Sequence, residues 1–220
     1  MKRERLTHAQ RRAQTRECLL EAARKMFVKK GLAATSVEDI AEAAGYTRGA
    51  FYSNFGGKPE LLIELLRRDH DRARANLQEI MEEGGTPKEM NERAIEYYSQ
   101  FFLEHECFPL WLEATLLACR DTGFQERINA FQHEKLGQVS AYIRIFSERV
   151  GRPLPLPSQA DALAVALVSL CDGVQFLRMC NPQMVSGKVI QTVLAGFLSC
   201  VLWRQPEEKL CDEHRGGVPV

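Results

Sequence analysis

The chain has 220 residues, with 29 basic and 29 acidic side chains. This length suits one small module and one domain with its own hydrophobic core. We find no signal peptide and no apolar run of the roughly 18 residues needed to span a membrane, which favours a cytoplasmic protein without a membrane partner. The apolar periodicity is helical throughout, without internal repeats and without strand alternation longer than a few residues.

Charge is divided unevenly along the chain. Residues 1–58 contain 12 Lys or Arg against 6 Asp or Glu, whereas the remaining residues contain 17 against 23. A positive N-terminal module on an acidic body predicts a polyanionic partner at one end of the molecule only.

The first predicted helix runs from His8 to Lys30 and is ended by Gly31. Arg16 lies near its start, where the side chain can either contact a phosphate backbone or remain a solvated surface charge, and both interpretations stay open. The apolar side of this helix comprises Leu19, Leu20, Ala22, Ala23, Met26 and Phe27.

Two short helices follow, joined by a glycine turn. Thr35 and Ser36 are suitable N-caps for the first helix, and Gly45 follows its last apolar residue, where a left-handed cap favours glycine. The second helix runs from Arg48 to Asn54 and is capped by Thr47. Its inward side chains are Ala50, Phe51 and Phe55, and its outward face is small, basic and aromatic. Two short helices of this kind are typical of a helix-turn-helix that contacts DNA.

Four blocks carry a resemblance to a known family: TRECLLEAARKMFVKKG, TSVEDIAEAAG, YTRGAFYSNF and GGKPELL. In this order and spacing, over about residues 11 to 66, they resemble the DNA-binding domain of TetR-family transcriptional regulators. The resemblance implies an all-α homodimer whose larger C-terminal domain binds a ligand or a partner. One departure is Asn54, where the family often has histidine; the amide can still donate a hydrogen bond to a phosphate.

The predicted DNA-binding residues are Thr35, Ser36, Thr47, Arg48, Gly49, Tyr52, Asn54 and Lys58, and the predicted partner is double-stranded operator DNA. Arg48 can form two hydrogen bonds to O6 and N7 of guanine in the major groove. Gly49 permits close approach of the backbone to the bases. Tyr52 and Asn54 are suited to phosphates, and Lys58 adds positive charge at a helix N-terminus.

The rest of the chain is predicted to form a larger helical body. Helices are expected at about 58–83, 87–105, 108–120, 122–150, 160–180 and 187–203, with a proline-rich loop at 151–157. We therefore divide the chain into a helix-turn-helix domain over 1–57, a regulatory and dimerisation domain over 58–204 and a flexible tail over 205–220.

The last two helices are apolar around much of their circumference. Such helices are buried either in a monomer core or against a second subunit. The resemblance favours the second alternative, since two copies of a helix-turn-helix are needed for a two-fold symmetric site. The predicted homodimer interface comprises Leu163, Leu167, Leu170, Val174, Val189, Val193, Phe197 and Val201.

Aromatic residues are more numerous in the middle helices than packing requires, and ligand sites are mostly apolar with a few polar groups. The resemblance favours an effector pocket between the middle helices, and the predicted pocket residues are Phe102, Trp111, Leu112, Thr115, Phe131, Asp172 and Phe176. Ordinary core packing is the alternative for each aromatic side chain. Further candidate polar anchors are Glu113, Gln175 and Arg178. The identity of the effector does not follow from the sequence.

The sequence predicts neither catalysis nor a cofactor or metal. It contains no Gly-rich phosphate loop, nucleophile elbow or HExxH pattern. Its seven cysteines form an odd set without CxxC spacing, which argues against disulfides and zinc but leaves a redox sensor open. We predict a repressor that a small molecule releases from a palindromic operator; the alternative is a DNA-binding protein without such a ligand, controlled by a partner or by redox state.

Overall fold

The computed structural model describes residues 7–104, 107–149, 151, 153–154 and 156–203. These residues form helices α1 (His8–Lys30), α2 (Val37–Ala43), α3 (Arg48–Tyr52), α4 (Lys58–Glu83), α5 (Pro87–Glu104), α6 (Phe108–Ala118), α7 (Thr122–Arg149), α8 (Pro157–Cys180) and α9 (Gly187–Trp203), without a strand among them. The all-α prediction is confirmed. The tail predicted over 205–220 and the helix ends predicted at 105 and 150 lie outside the described residues.

Three helix ends differ from the prediction. Helix α3 ends at Tyr52, because Ser53 and Asn54 leave the helix in a turn, and α6 ends at Ala118 instead of continuing to residue 120. Helix α8 begins three residues earlier, at Pro157, because a proline fits the first helical turn, where its missing N–H is not needed.

Capping side chains define the small N-terminal helices. Thr7 and Ser36 each form a capping box, with Gln10 and Asp39 respectively, and the Thr47 hydroxyl oxygen accepts a hydrogen bond from the N–H of Ala50. The left-handed turn expected after α2 is present at Gly45, whose φ is 76°. These local signals set the start of each helix and the direction in which α3 leaves α2.

Asp39 has a further partner, because its carboxylate accepts a hydrogen bond from Lys30 Nζ at 2.7 Å. The bond from Lys30, with those from Ser36, lowers the pKa of Asp39 to about 2. A carboxylate whose folded pKa is lowered stabilises the fold above its ordinary pKa near 4, and this contribution is lost as pH falls through about 2.

We expect Asp39→Asn to lower the melting temperature at pH 7. Thermal unfolding at a series of pH values should show that the difference in melting temperature between wild type and variant disappears between about pH 4 and pH 2. A difference that does not change with pH would contradict this assignment.

Two hydrophobic clusters hold the helices together. The larger joins α1, α2, α3 and the start of α4 to α6 and α7, with Phe27, Phe51, Leu61, Leu110 and Phe131 among its buried members. It therefore crosses the boundary predicted at residue 57, and that domain division stays a prediction. The smaller cluster packs α5 against α9 and consists of Phe102, Val185, Ile190 and Leu194.

Helix α8 is the least covered of the long apolar helices. By length and composition it could cross a membrane, contrary to the expectation that no segment could, and 17% of its apolar window is buried. One such helix is weak evidence for a membrane, because the core helix of a soluble protein passes the same test. Its exposed residues recur at helical spacing and form what we call the α8 stripe: Ala162, Val165, Ala166, Ser169, Gly173, Phe176, Leu177 and Cys180.

Candidate nucleic-acid interface and internal cavity

The exposed face of α3 brings together four predicted DNA-binding residues, Thr47, Arg48, Gly49 and Tyr52. The Arg48 guanidinium carbon lies 5.5 Å from the centroid of the Tyr52 ring, and Nη1 lies 3.1 Å from Oε1 of Glu38 on α2. Hydrogen bonding to Tyr52 and the charge of Glu38 raise the pKa of Arg48 above its ordinary value. The Arg48 guanidinium is therefore charged and exposed, as a side chain that contacts the edge of a base pair must be.

Arg16 holds α1 against the end of α3. Its guanidinium lies 4.1 Å above the Phe55 ring, Nη1 donates to the carbonyl of Asn54 at 2.7 Å, and Nη2 lies 3.4 Å from Glu64 Oε2. The two interpretations left open for Arg16 are thus replaced by a third: this partly buried side chain fixes the orientation of α3 relative to α1 and α4.

Thr35 is corrected from a DNA-binding candidate to a structural residue. It is 1% exposed, and its hydroxyl donates to the carbonyl of Gly31 at 2.8 Å, so its side chain cannot reach DNA. Ser36 is half-buried and caps α2. The half-buried Asn54 amide already donates to the carbonyl of Ala50 at 2.8 Å, which leaves it less free for a phosphate than expected.

Lys58 also turns toward the protein. Its ammonium donates to the carbonyls of Leu32 and Thr35, at 2.8 and 2.7 Å, in the turn between α1 and α2. Lys58 therefore ties the start of α4 to this turn, in addition to placing a positive charge at the helix N-terminus.

We expect Lys58→Ala to lower the free energy of unfolding by about 1.5–3 kcal/mol, the range for hydrogen bonds to a charged group. DNA binding should weaken equally for operator and unrelated sequences, because the residue has no access to base edges. Urea unfolding and fluorescence anisotropy measure the two effects. A selective loss of operator binding would show that Lys58 contributes to base recognition instead.

A cavity of about 240 Å³ lies among the helices α4 to α9. Four predicted pocket residues line it, namely Phe102, Trp111, Phe131 and Asp172, together with the predicted anchor Gln175. Sequence reasoning missed much of the remaining wall, including Leu66, His70, Leu77, Lys135, Gln138 and Tyr142. The helical spacing of Phe131, Lys135, Gln138 and Tyr142 along α7 is the signal that could have found this side.

Most polar groups of the cavity are uncharged. His70 Nε2 lies 2.8 Å from Gln138 Oε1, and burial lowers the pKa of His70, so the imidazole is neutral at pH 7. Burial raises the pKa of Tyr98, and it raises that of Cys171 to about 12. Lys135 adds a cation, with Nζ 5.3 Å from the centroid of the Trp111 ring. The result is a largely aromatic and aliphatic cavity with several neutral hydrogen-bonding groups and a few charged residues, among them Asp172 and Lys135, which suits a small and largely apolar molecule.

Three predicted pocket residues lie elsewhere. Along α6 the cavity wall stops at Trp111, so Leu112 is outside it, and the exposed Thr115 donates to the carbonyl of Trp111 at 2.9 Å. Phe176 is 47% exposed and belongs to the α8 stripe. The predicted anchor Arg178 donates to the carbonyl of Leu103 at 3.1 Å and takes no part in the cavity.

Glu113, another predicted anchor, connects α6 to the N-terminal helices. Its Oε2 accepts a hydrogen bond from the N–H of Leu32 at 2.5 Å. The turn between α1 and α2 is therefore held from two sides, by Glu113 of α6 and by Lys58 of α4. Both helices also line the cavity, through Trp111 and His70 for example.

The predicted dimer interface is only partly on the surface. Leu167 and Phe197 line the cavity, and Val174 packs against the smaller cluster, so these three residues face the protein interior. Leu163, Leu170 and Val193 are half-buried, Val189 is exposed, and the Val201 side chain lies outside the described residues. Most exposed apolar residues of α8 instead lie on the α8 stripe, whose residues are absent from the predicted interface.

Residues 19–65 match the family described as bacterial regulatory proteins, tetR family. Over this segment the chain is similar to the tetR family. TtgR of Pseudomonas putida, an HTH-type transcriptional regulator, is 48% identical over 67 residues, which are 29% of this chain and 32% of TtgR. The HTH-type transcriptional repressor KstR2 of Mycobacterium tuberculosis is 42% identical over 71 residues, 32% of this chain and 36% of KstR2. The chain thus matches about a third of the length of these curated relatives.

The similarity of fold extends over most of the chain. The regulator FadR of Bacillus subtilis, solved in complex with stearoyl-CoA, superposes with a TM-score of 0.62 at 17% identity, covering 84% of this chain and 97% of FadR. The predicted resemblance is confirmed over residues 19–65, and the match to a family of regulatory proteins agrees with the prediction that the chain is not an enzyme.

Proposed function

We propose that this protein is a homodimeric transcriptional repressor of the tetR family that binds a palindromic operator and is released when a small molecule occupies the cavity. The observation that carries the proposal is the exposed face of α3, where Thr47, Arg48, Gly49 and Tyr52 lie together on a module built against a helical body with a cavity. Bacterial operators are cytoplasmic, and we place the protein there.

Dimerisation is supported by the α8 stripe, since an apolar surface at helical spacing is suited to packing against its symmetry copy. Two α3 helices related by a two-fold axis would contact half-sites about 34–36 Å apart. Arg48 would then contact one guanine in each half-site, and Tyr52 a nearby phosphate.

Small-molecule control is supported by the cavity itself and by the ligand-bound state of FadR. The volume of about 240 Å³ is below the roughly 300–1,000 Å³ of most ligand sites, which favours a small effector. The Cys171 thiol is poorly suited to redox sensing, because burial raises its pKa to about 12 and keeps it protonated.

The route between the two sites follows from the contacts of α4 and α6. Both helices line the cavity, and both hold the α1–α2 turn through Lys58 and Glu113. An effector that prefers one orientation of these helices would change the separation of the two α3 helices, and typical coupling between such sites is about 1–3 kcal/mol.

The test is fluorescence anisotropy of the purified protein with DNA from upstream of its own gene, in the presence of scrambled competitor and across a salt series. We expect saturable binding of two subunits per site that survives the competitor. Weak binding that depends steeply on salt and is equal for all sequences would show that the N-terminal helices bind DNA only nonspecifically, through their basic surface. Compounds that release the DNA then identify the effector, and a compound that binds in the cavity without changing DNA affinity would exclude the switch.

A further inference from the structure

Glu38 places a carboxylate directly beside the arginine proposed to contact guanine. It lies on the exposed side of α2, with Oε1 3.1 Å from Arg48 Nη1, and no other ion pair of Arg48 occurs among the described residues. We propose that Glu38 is a specificity-determining residue, which orients Arg48 for its guanine and withholds it from phosphates on DNA without that guanine. The inference rests on the proposed DNA-binding function.

The geometry leaves Arg48 able to contact a base while it remains on Glu38. The ion pair joins Glu38 Oε1 to Arg48 Nη1, and the guanidinium carbon lies 5.5 Å from the centroid of the Tyr52 ring. The planar guanidinium carries further N–H donors in a fixed arrangement, so an arginine held at one edge presents the other edge in a defined direction. The Arg48 and Glu38 side chains are 64% and 57% exposed, so DNA can reach both.

The effect on specificity depends on which acceptor competes with Glu38. Guanine offers two acceptors in the plane of the guanidinium, and this bidentate contact adds to the bond with Glu38. Without that guanine the available acceptor is a phosphate, whose position bears no relation to Glu38, and Arg48 must leave the carboxylate to reach it. Removing Glu38 therefore strengthens nonspecific binding more than operator binding.

Glu42 provides a matched control. It lies one helical turn beyond Glu38 on the same exposed side of α2, and it makes no ion pair with Arg48. Glu38→Gln and Glu42→Gln remove the same charge close to the DNA, so a purely electrostatic effect would be similar for both. Glu38→Asp keeps the charge but shortens the side chain. This variant therefore distinguishes the effect of the contact with Arg48 from the effect of the charge alone.

The experiment first selects operator sequences from a random duplex library with the wild-type protein. Affinities for the selected and a scrambled duplex are then measured for the wild type and for E38Q, E38D and E42Q, each also combined with R48A. We expect the ratio of operator to scrambled affinity to fall by about two- to fivefold in E38Q and E38D, the size of an exposed ion pair, and to stay at the wild-type value in E42Q. In the R48A background E38Q and E42Q should behave alike.

An unchanged ratio in E38Q, or the same fall in E42Q, would overturn the role of Glu38 while leaving the DNA-binding function intact. A wild-type protein that selects no sequence would overturn the proposed function and the inference with it. A fall in E38Q but not in E38D would show that the charge of Glu38 matters and its contact with Arg48 does not, which also overturns the positioning role.

Discussion

Replacing Arg48 by alanine is expected to lower operator affinity by about 1–3 kcal/mol and to remove the preference for one base pair in each half-site. The reason is geometric: Arg48 is the basic residue of the exposed α3 face, whereas Arg16 and Lys58 are engaged within the protein. Anisotropy with duplexes that carry each of the four base pairs at each operator position measures both quantities.

Lys25→Ala is the control for the loss of one positive charge from the same module. Lys25 is exposed on α1 and pairs with Glu21 at 3.3 Å, away from the α3 face. The Lys25→Ala substitution should lower the affinity for all DNA sequences slightly and leave the base preferences unchanged. If the Arg48 variant keeps the wild-type preferences and loses affinity only as Lys25→Ala does, Arg48 is a phosphate contact and the base-reading role belongs to another residue.

The N-terminal helices could be predicted closely because their determinants are local. Thr47 and Ser36 as caps and Gly45 as a left-handed turn act within a few residues of the backbone they organise. What local patterns could not supply was the direction of long side chains. Lys58 was expected at a phosphate, and Arg16 either at a phosphate or in solvent. Each instead donates to backbone carbonyls of a neighbouring segment. Those carbonyls come near only after the helices have packed.

The cavity and the exposed face of α8 were harder to predict for a related reason. Periodicity shows that α8 is apolar all round, but it does not tell which side meets α7 and which meets solvent. Leu167 faces the cavity and Phe176 faces outward, the reverse of their predicted roles. The contact of His70 with Gln138 joins two residues that are 68 positions apart in the chain, and a single sequence carries no signal of that pairing.

The position of Glu113 gives the chain a direct connection between its two proposed sites. It lies two residues beyond Trp111, so a change in the cavity wall of α6 acts within one helical turn of the bond to Leu32. On the other side of the same turn, Lys58 begins the helix that carries His70. A movement of either helix therefore reaches the segment from which α2 starts, without passing through a flexible linker.

Replacing Phe176 by arginine is expected to raise the dimer dissociation constant at least about 100-fold, since an uncompensated buried charge costs about 3–5 kcal/mol. In a two-fold dimer the substitution enters the interface twice. Because Phe176 is 47% exposed in the single chain, the fold of the subunit should be retained. Operator affinity should fall as well, since a monomer contacts one half-site only.

Leu116→Arg tests whether this effect belongs to the α8 stripe. Leu116 is 57% exposed on α6, so the same apolar-to-arginine change is made at a comparably accessible site away from α8 and α9. Sedimentation equilibrium should show a dimer for the wild type and for Leu116→Arg, and a monomer for Phe176→Arg. Circular dichroism should show wild-type helical content for the Phe176→Arg monomer. A Phe176→Arg protein that remains dimeric would place the interface elsewhere, and α8 would then need another partner to cover its apolar stripe.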